Sequence, residues 1–513
     1  MAKKETKTTA QRLSGIVKSC RQIMRKDKGL NGDADRLPIL TWVMFLKFLD
    51  DNEKLHESEA LLKGKTYKPT LKSPYRWRDW AKDTNLTGDD LLAFINNEKA
   101  ILPDGTESTG LFYYLRSLQS ESGKERADVI STVFKGINNR MINGYLLRDV
   151  INKIEEIHFT SNEEIYTLSH LYESILKEMR DASGDAGEFY TPRPVVQFMV
   201  DMLNPQLGET VLDPACGTGG FLVASFEHLK KQAKTLEQFE ILQKQSVLGG
   251  EAKPLPYLLV QMNLLLHGLE YPQIDPLNSL RFKLQEIGDN ERVDTIITNP
   301  PFGGEEEKGI LNNFPKDKQT TETAFLFLQL IMRKLKRKKA GQNGGRAAVV
   351  VPNGTLFADG VADRIKKQLV EDFNLHTIVR LGDGVFAPYT DIPANLLFFQ
   401  QGKPTDDIWY YEIPVADNKN KYSKTKPIQI EEFSEITQWW NNREETEWAW
   451  KINIKDVIKE NGNGQPIVNL DIKNPNRKSE LEYSEPSELI SNLIKRENQI
   501  LDLMNSVNEL IGK

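Results

Sequence analysis

The sequence predicts an α/β protein: a mostly parallel sheet with helices between its strands, preceded by a helical region and followed by one terminal helix. Three observations carry this. From about residue 161, short runs rich in Val, Ile and Leu alternate with helical stretches, the pattern of a sheet covered on both faces. Residues 9 to about 160 instead carry apolar positions at helical spacing. From about Ser487 to Ile511, apolar residues recur at alternating intervals of three and four.

The first helix is read from Leu13, Ile16, Val17, Cys20, Ile23 and Met24, with Gly29 placed to end it. The second, LPILTWVMFLKFLDD, starts near Leu37 and is apolar on most sides, so it is expected to be buried. ILPDGTESTG reads as a loop. The strand candidates are ETVLDPACGTGG, QSVLGGE, VDTIITNPPF, GRAAVVVPNG, LHTIVRL and ANLLFFQQ. The stretch from about 405 to 475 reads as polar and irregular, despite Trp409, Trp439, Trp440, Trp448 and Trp450. In the last helix Ile490, Leu493, Ile500, Met504, Val507 and Ile511 form a seam interrupted by Glu497. It fits docking onto a partner helix, and packing on its own domain is the alternative. The run Arg333 to Lys339 reads as a solvated helix end, with a phosphate contact as the alternative. The expected division is a helical domain over 1–160, an α/β domain over 161–420 and an extension over 421–513.

At 513 residues the chain exceeds one typical core. Hydrophobic residues at 39% and charged residues at 27% are ordinary for a globular protein. No apolar run reaches the length of a membrane span, and the start MAKKETKTTAQ lacks the apolar core of a signal peptide, so no membrane contact and a cytoplasmic location are expected. Two cysteines, Cys20 and Cys216, exclude a disulfide framework and a thiolate zinc site, and the six histidines show no ligand spacing, so no metal is expected. A net charge of −6 argues against gripping DNA over the whole surface; DNA contact would be local or supplied by a partner.

Two segments carry chemistry. DPACGTGG, Asp213 to Gly220, is a Gly-rich turn between a strand and a helix, where a ligand can approach the backbone and meet free N–H groups. Farther on, VLGGE ends in Glu251, an acid at the tip of the second strand placed to bind both ribose hydroxyls; a helix N-terminal acid is the alternative. Cys216 reads as a small packing residue. The second segment is NPPF, Asn299 to Phe302. The amino group of adenine or cytosine is a poor nucleophile because its lone pair is delocalised into the ring. The Asn299 side-chain oxygen and the Pro300 carbonyl can each accept one amino hydrogen and aim that lone pair at a sulfonium methyl. Pro300 and Pro301 stiffen the loop, and Phe302 can stack on an extruded base. A third segment, EFYTPRP from Glu188 to Pro194, precedes the first strand and is placed to be a lid over the methionine end of the donor.

In the order EFYTPRP, DPACGTGG, NPPF, these segments resemble the DNA methyltransferase subunit of type I restriction–modification systems. The resemblance covers most of the chain. It implies a doubly wound, seven-stranded S-adenosylmethionine-dependent methyltransferase sheet with its last strand antiparallel, behind an all-helical N-terminal domain. It implies adenine-N6 methylation of double-stranded DNA, with S-adenosylmethionine as cofactor. A specificity subunit would choose the site, with two modification subunits for each, and a restriction and translocation subunit would complete the complex. By residue, Glu188, Phe189, Tyr190, Thr191, Pro192 and Arg193 would line the donor with Asp213, Gly217, Thr218, Gly219 and Gly220. Glu251 would hold the ribose, and Asn278 in DPLNSL would lie near the donor's adenine. Asn299, Pro300, Pro301 and Phe302 would hold the target.

Rival readings are a stand-alone amino-methyltransferase acting on DNA, RNA or a protein glutamine, and a subunit that only binds nucleotide or DNA. The motif order and EFYTPRP favour DNA, and both acceptors are present. No Pro-Cys pair serves cytosine-C5 chemistry. No G-x-x-x-x-G-K-[ST] loop is present, so ATP-driven movement belongs to another subunit.

Overall fold

The computed structural model describes residues 8–120, 126–159, 162–182, 191–341, 343–415 and 421–476, with the isolated positions 494, 497 and 504. The helix Thr9–Met24 is capped by Thr8, whose hydroxyl accepts the Gln11 N–H while Gln11 accepts the Thr8 N–H. Leu13, Ile16, Val17, Cys20 and Met24 form its buried face. The helix Asp33–Leu62 begins a turn before Leu37, because Asp33 and Asp35 suit a helix N-terminus. It is buried almost throughout from Leu37 to Glu53, lying between other helices and packing on Pro254–Leu266 of the sheet region. Its buried charges are paired: Lys47 with Asp51 at 3.0 Å and Asp50 with Arg78 at 2.7 Å. The helical region is not all-helical, however. Lys99–Ile101 and Glu107–Thr109 pair as an antiparallel ribbon, because the turn between them places Gly105 at φ +83°.

The sheet contains β1 (Val211–Asp213), β2 (Val247–Gly250), β3 (Gln273–Asp275), β4 (Thr295–Thr298), β5 (Arg346–Pro352), β6 (Phe373–Arg380), β7 (Ala394–Gln401), β8 (Asp407–Glu412) and β9 (Ala449–Asn453). Their order is 9-8-6-7-5-4-1-2-3. From β3 across to β5 all neighbours are parallel, and β7 runs antiparallel between β5 and β6. These seven strands form the doubly wound sheet with a reversed seventh strand. β4 and β5 are buried on both faces, which explains their continuous apolar runs.

The sheet continues where an irregular stretch was expected. β8 lies parallel to β6, and β9, beyond residue 420, pairs antiparallel with β8. The strand signal is DIWYYE, rich in β-formers but set among polar residues. The tryptophans fix this edge: Trp440 packs on Phe398 with ring centres 4.7 Å apart, and Trp450 stacks on Tyr410 at 5.2 Å. Along the outer side of β9, the Lys451 N–H donates to Glu445, the Ala449 N–H to Thr446 Oγ1, and the Ala449 carbonyl accepts Asn476 Nδ2.

The basic run is largely engaged within the chain. Arg333 donates to the carbonyls of Leu284, Gln285 and Ile287, and Lys336 pairs with Asp294 at 2.8 Å. Of the expected terminal helix, Ile494, Glu497 and Met504 are helical; of its seam only Met504 is described, and Ile490, Leu493, Ile500, Val507 and Ile511 lie outside the described residues. Among the described residues no helix is long and apolar enough to cross a membrane.

The winding reverses between β1 and β4, which are neighbours: the chain passes outward to β2 and β3 from one and to β5 from the other. The C-terminal ends of two such strands open a crevice. DPACGTGG leaves β1 there, and NPPF leaves β4.

Candidate active site

At the end of β1, the buried Asp213 Oδ1 accepts the Ala215 N–H at 3.1 Å and the Thr298 hydroxyl at 2.6 Å, tying β1 to β4. Burial pushes the Asp213 carboxyl up to about 7, against the opposing pull of these hydrogen bonds. Gly217 and Gly219 then take φ +53° and +82°, conformations that disfavour a side chain. A Cβ on Gly219 would stand 2.5 Å from Val260 Cγ2, and one on Gly220 would collide with Arg193 Nη1. The turn closes on its neighbours: the Cys216 N–H donates to the Gly250 carbonyl at 3.0 Å and the Gly219 N–H to the Cys216 carbonyl at 2.8 Å. Cys216 is buried and its thiol is held well above its ordinary pKa by burial, as suits a packing residue.

Glu251 stands at the tip of β2. Its Oε2 accepts the Gly217 N–H at 3.0 Å, and its Oε1 accepts the Lys253 N–H at 2.8 Å. It therefore braces the Gly-rich turn and also caps the helix Pro254–Leu266. Burial raises its pKa against these two bonds.

Across the crevice, Asn299 Nδ2 donates to Thr191 Oγ1 at 3.1 Å. Asn299 Oδ1 is buried and has no hydrogen-bond partner among the described residues. A buried acceptor left unmet is destabilising, so it marks a place where a donor from outside would be welcome. Phe302 is half-buried and meets the edge of Phe386 with ring centres 5.5 Å apart.

One pocket gathers these groups. Thr191, Arg193, Asp213, Gly217, Thr218, Gly220, Glu251, Asn278, Asn299, Pro300, Pro301 and Phe302 all line it. Pro192 and Gly219 are not on its wall: Pro192 is the N-cap of the helix Arg193–Leu203, and Gly219 faces Val260. Glu188, Phe189 and Tyr190 lie outside the described residues. Asn278 bridges two loops, its Oδ1 accepting the Leu280 N–H at 2.9 Å and its Nδ2 donating to Glu306 Oε2 at 3.2 Å. The pocket also takes residues that sequence reasoning missed: Lys253, Ser279, Glu306, Phe386 and Tyr389. Lys253 and Glu306 follow recognised motifs closely and could have been sought there. Phe386 and Tyr389 come from the connection between β6 and β7, which carries no motif. Among the described residues no group of three His, Cys, Asp or Glu side chains could hold a metal ion.

The arrangement offers a backbone cradle beside a carboxylate, and across from them an unmet amide acceptor backed by an aromatic ring. Comparison with known proteins gives the family of the chain. A family model described as N-6 DNA methylase matches residues 163–480, and an HsdM N-terminal domain model matches residues 13–154. The methylase subunit of the type I restriction enzyme EcoEI of Escherichia coli is 45% identical over 511 residues, covering 98% of each chain. A crystal structure of a modification subunit assigned to a type I restriction enzyme of Vibrio vulnificus YJ016 is 67% identical, with 93% of this chain and 99% of that one covered and a TM-score of 0.85. A chain from a structure addressing assembly and conformational transition of the type I restriction–modification system is 38% identical. It covers 98% of this chain and 99% of that one, with a TM-score of 0.78.

Proposed function

The chain belongs to the N-6 DNA methylase family, among the methylase subunits of type I restriction enzymes, and from that premise we propose how its pocket works. The protein is an adenine-specific DNA methyltransferase that uses S-adenosylmethionine and acts within a type I restriction–modification complex. When bound, S-adenosylmethionine supplies a methyl group already activated on a sulfonium.

The residues present fit that group. Gly217 and Gly219 let the turn take left-handed backbone, and Gly217 and Gly220 line the pocket without a side chain, with Arg193 Nη1 standing where a Gly220 Cβ would be. Each oxygen of Glu251 takes one backbone N–H and keeps a second lone pair, enough to accept both hydroxyls of a ribose. Thr191, Arg193 and Asn278 would complete the donor's surroundings, with Glu188, Phe189 and Tyr190 of the same segment. On the other side, Asn299 Oδ1 accepts one hydrogen of the target N6 amino group and the Pro300 carbonyl the other, which localises the lone pair on nitrogen. Pro300 and Pro301 hold these acceptors still. Phe302 stacks on the extruded adenine, replacing part of the stacking lost from the duplex.

The observation that carries this reading is the buried Asn299 Oδ1, without a partner among the described residues, in the same pocket as the Gly-rich turn. A subunit that only bound nucleotide would have no use for it. Double-stranded DNA is the substrate, a specificity subunit chooses the site, and cleavage resides in a restriction subunit. We place two copies of this chain with each specificity subunit, and the complex in the cytoplasm beside its DNA.

The test is methylation of duplex DNA by the purified chain at physiological salt, with and without the specificity subunit. N6-methyladenine at one defined site is expected only when that subunit is present. A net charge of −6 gives poor long-range attraction to phosphates, and base extrusion needs a firmly held duplex. Efficient site-specific methylation by the chain alone would overturn the multisubunit reading.

A further inference from the structure

Glu173 belongs to no motif and sits on the helix Asn162–Ala182, yet groups from around the pocket converge on its carboxylate. Oε2 accepts Arg193 Nε at 2.6 Å and Arg193 Nη2 as well. Oε1 accepts Asn263 Nδ2 at 2.8 Å, and that same Nδ2 donates to the Thr218 carbonyl at 2.9 Å. Arg193 lines the pocket, with Nη1 in the space that a Gly220 side chain would take. One carboxylate thus fixes an arginine over the Gly-rich turn and an amide that holds the turn's backbone. Burial raises the Glu173 pKa, but the Arg193 charge and these hydrogen bonds outweigh it, so the group is held ionised.

The helix carrying Glu173 is itself anchored in the helical region. Thr9 Oγ1 donates to Glu163 Oε1 at 2.7 Å, and Arg12 pairs with Glu164. Tyr172 and Leu176 on either side of Glu173 are buried. The contact is therefore made from a packed element, which is the condition for holding a long side chain in one geometry.

We infer that Glu173 is a positioning residue for donor binding, holding Arg193 across the Gly-rich turn so that its guanidinium meets the carboxylate of S-adenosylmethionine. This rests on the reading of the pocket as the donor site. A guanidinium already fixed by a carboxylate loses less rotamer freedom when the ligand arrives. Asn263 serves the same end by holding the Thr218 carbonyl.

The experiment is calorimetry of S-adenosylmethionine binding to the full chain, its Glu173→Gln and Arg193→Gln variants, and the double variant. Each single change should raise Kd about tenfold, the loss expected for one charge-assisted contact. Glu173→Gln keeps an amide oxygen for Asn263 and removes only the charge that holds Arg193, so the double variant should bind no worse than Arg193→Gln. Decarboxylated S-adenosylmethionine should bind the native chain and Glu173→Gln alike, which a general loosening of the fold would not produce. If Glu173→Gln does not fold, Glu173→Asp takes its place in the same cycle. Unchanged affinity in the single variant, losses that multiply in the double, or an equal loss for the decarboxylated donor would each overturn the role. A native chain that binds no donor at all would sink the pocket's reading itself, and this role with it.

Discussion

At the end of β1, the Gly-rich turn is met from within the chain. Asp213, Glu251 and the Gly250 and Cys216 carbonyls take its N–H groups, and Asn263 takes the Thr218 carbonyl. At the end of β4, the Asn299 amide donates to Thr191, and among the described residues nothing donates to its oxygen. The two loops share one pocket but divide the task differently. On the proposed reading, the donor's cradle is preorganised by the protein, whereas the target's acceptor is completed only by the substrate. Donor binding should therefore not need DNA, and the cost carried at Asn299 should be repaid only when an amino group arrives.

The contrast can be broken most directly at Asn299. Asn299→Ala should lower kcat on the order of 100- to 1,000-fold in the assembled complex. Its Kd for S-adenosylmethionine, read by calorimetry, should stay near the native value. A comparable loss of donor binding would mean that the two loops are not separate in function. Glu251→Ala is the converse change. It removes the brace on Gly217 and, on the proposed reading, the ribose acceptors, so donor Kd should rise about 10- to 100-fold while kcat at saturating donor changes little. Unchanged affinity would show that Glu251 only caps its helix.

The smallest effect sharpens how the cradle is held. The Asp213 carboxyl titrates at about 7 in the folded chain because it is buried, while an unfolded aspartate titrates near 4. The fold binds the proton more tightly, so this group's contribution is greatest below about pH 4, declines as pH rises to about 7 and is level above that. Asp213→Asn keeps the shape of the protonated acid and should flatten that decline by a few degrees of Tm across the window. A native-like pH profile of Tm in the variant would assign the titration elsewhere.

The parts legible in the sequence are those whose chemistry is concentrated next to a strand end. Asp213 to Gly220, Glu251 and Asn299 to Phe302 could be found because apolar runs lead into them, and the structure brings them to one crevice. What was not legible comes from distant segments. Phe386 and Tyr389 reach the pocket only because β7 reverses between β5 and β6, a topology that no short motif announces. Glu173 lies on a helix whose pattern records its packing, not its partner. β8 and β9 were hidden because Trp409, Tyr410, Tyr411 and Trp450 are spaced among acids and lysines, so alternation over five or six residues was drowned by composition. β3, with three residues, is too short for periodicity to register.

The outer side of β9 bears on how this protein behaves in a crowd. A sheet that ends in an open strand offers unpaired N–H and C=O groups to any extended peptide, including the same strand of another copy. Here Thr446 and Asn476 occupy the outward N–H and C=O of Ala449, Glu445 takes the N–H of Lys451, and the Lys451 side chain is exposed. At the opposite border β3 is only three residues long. Both borders offer little free backbone to an added strand, which disfavours fusion of the sheets of copies held close together.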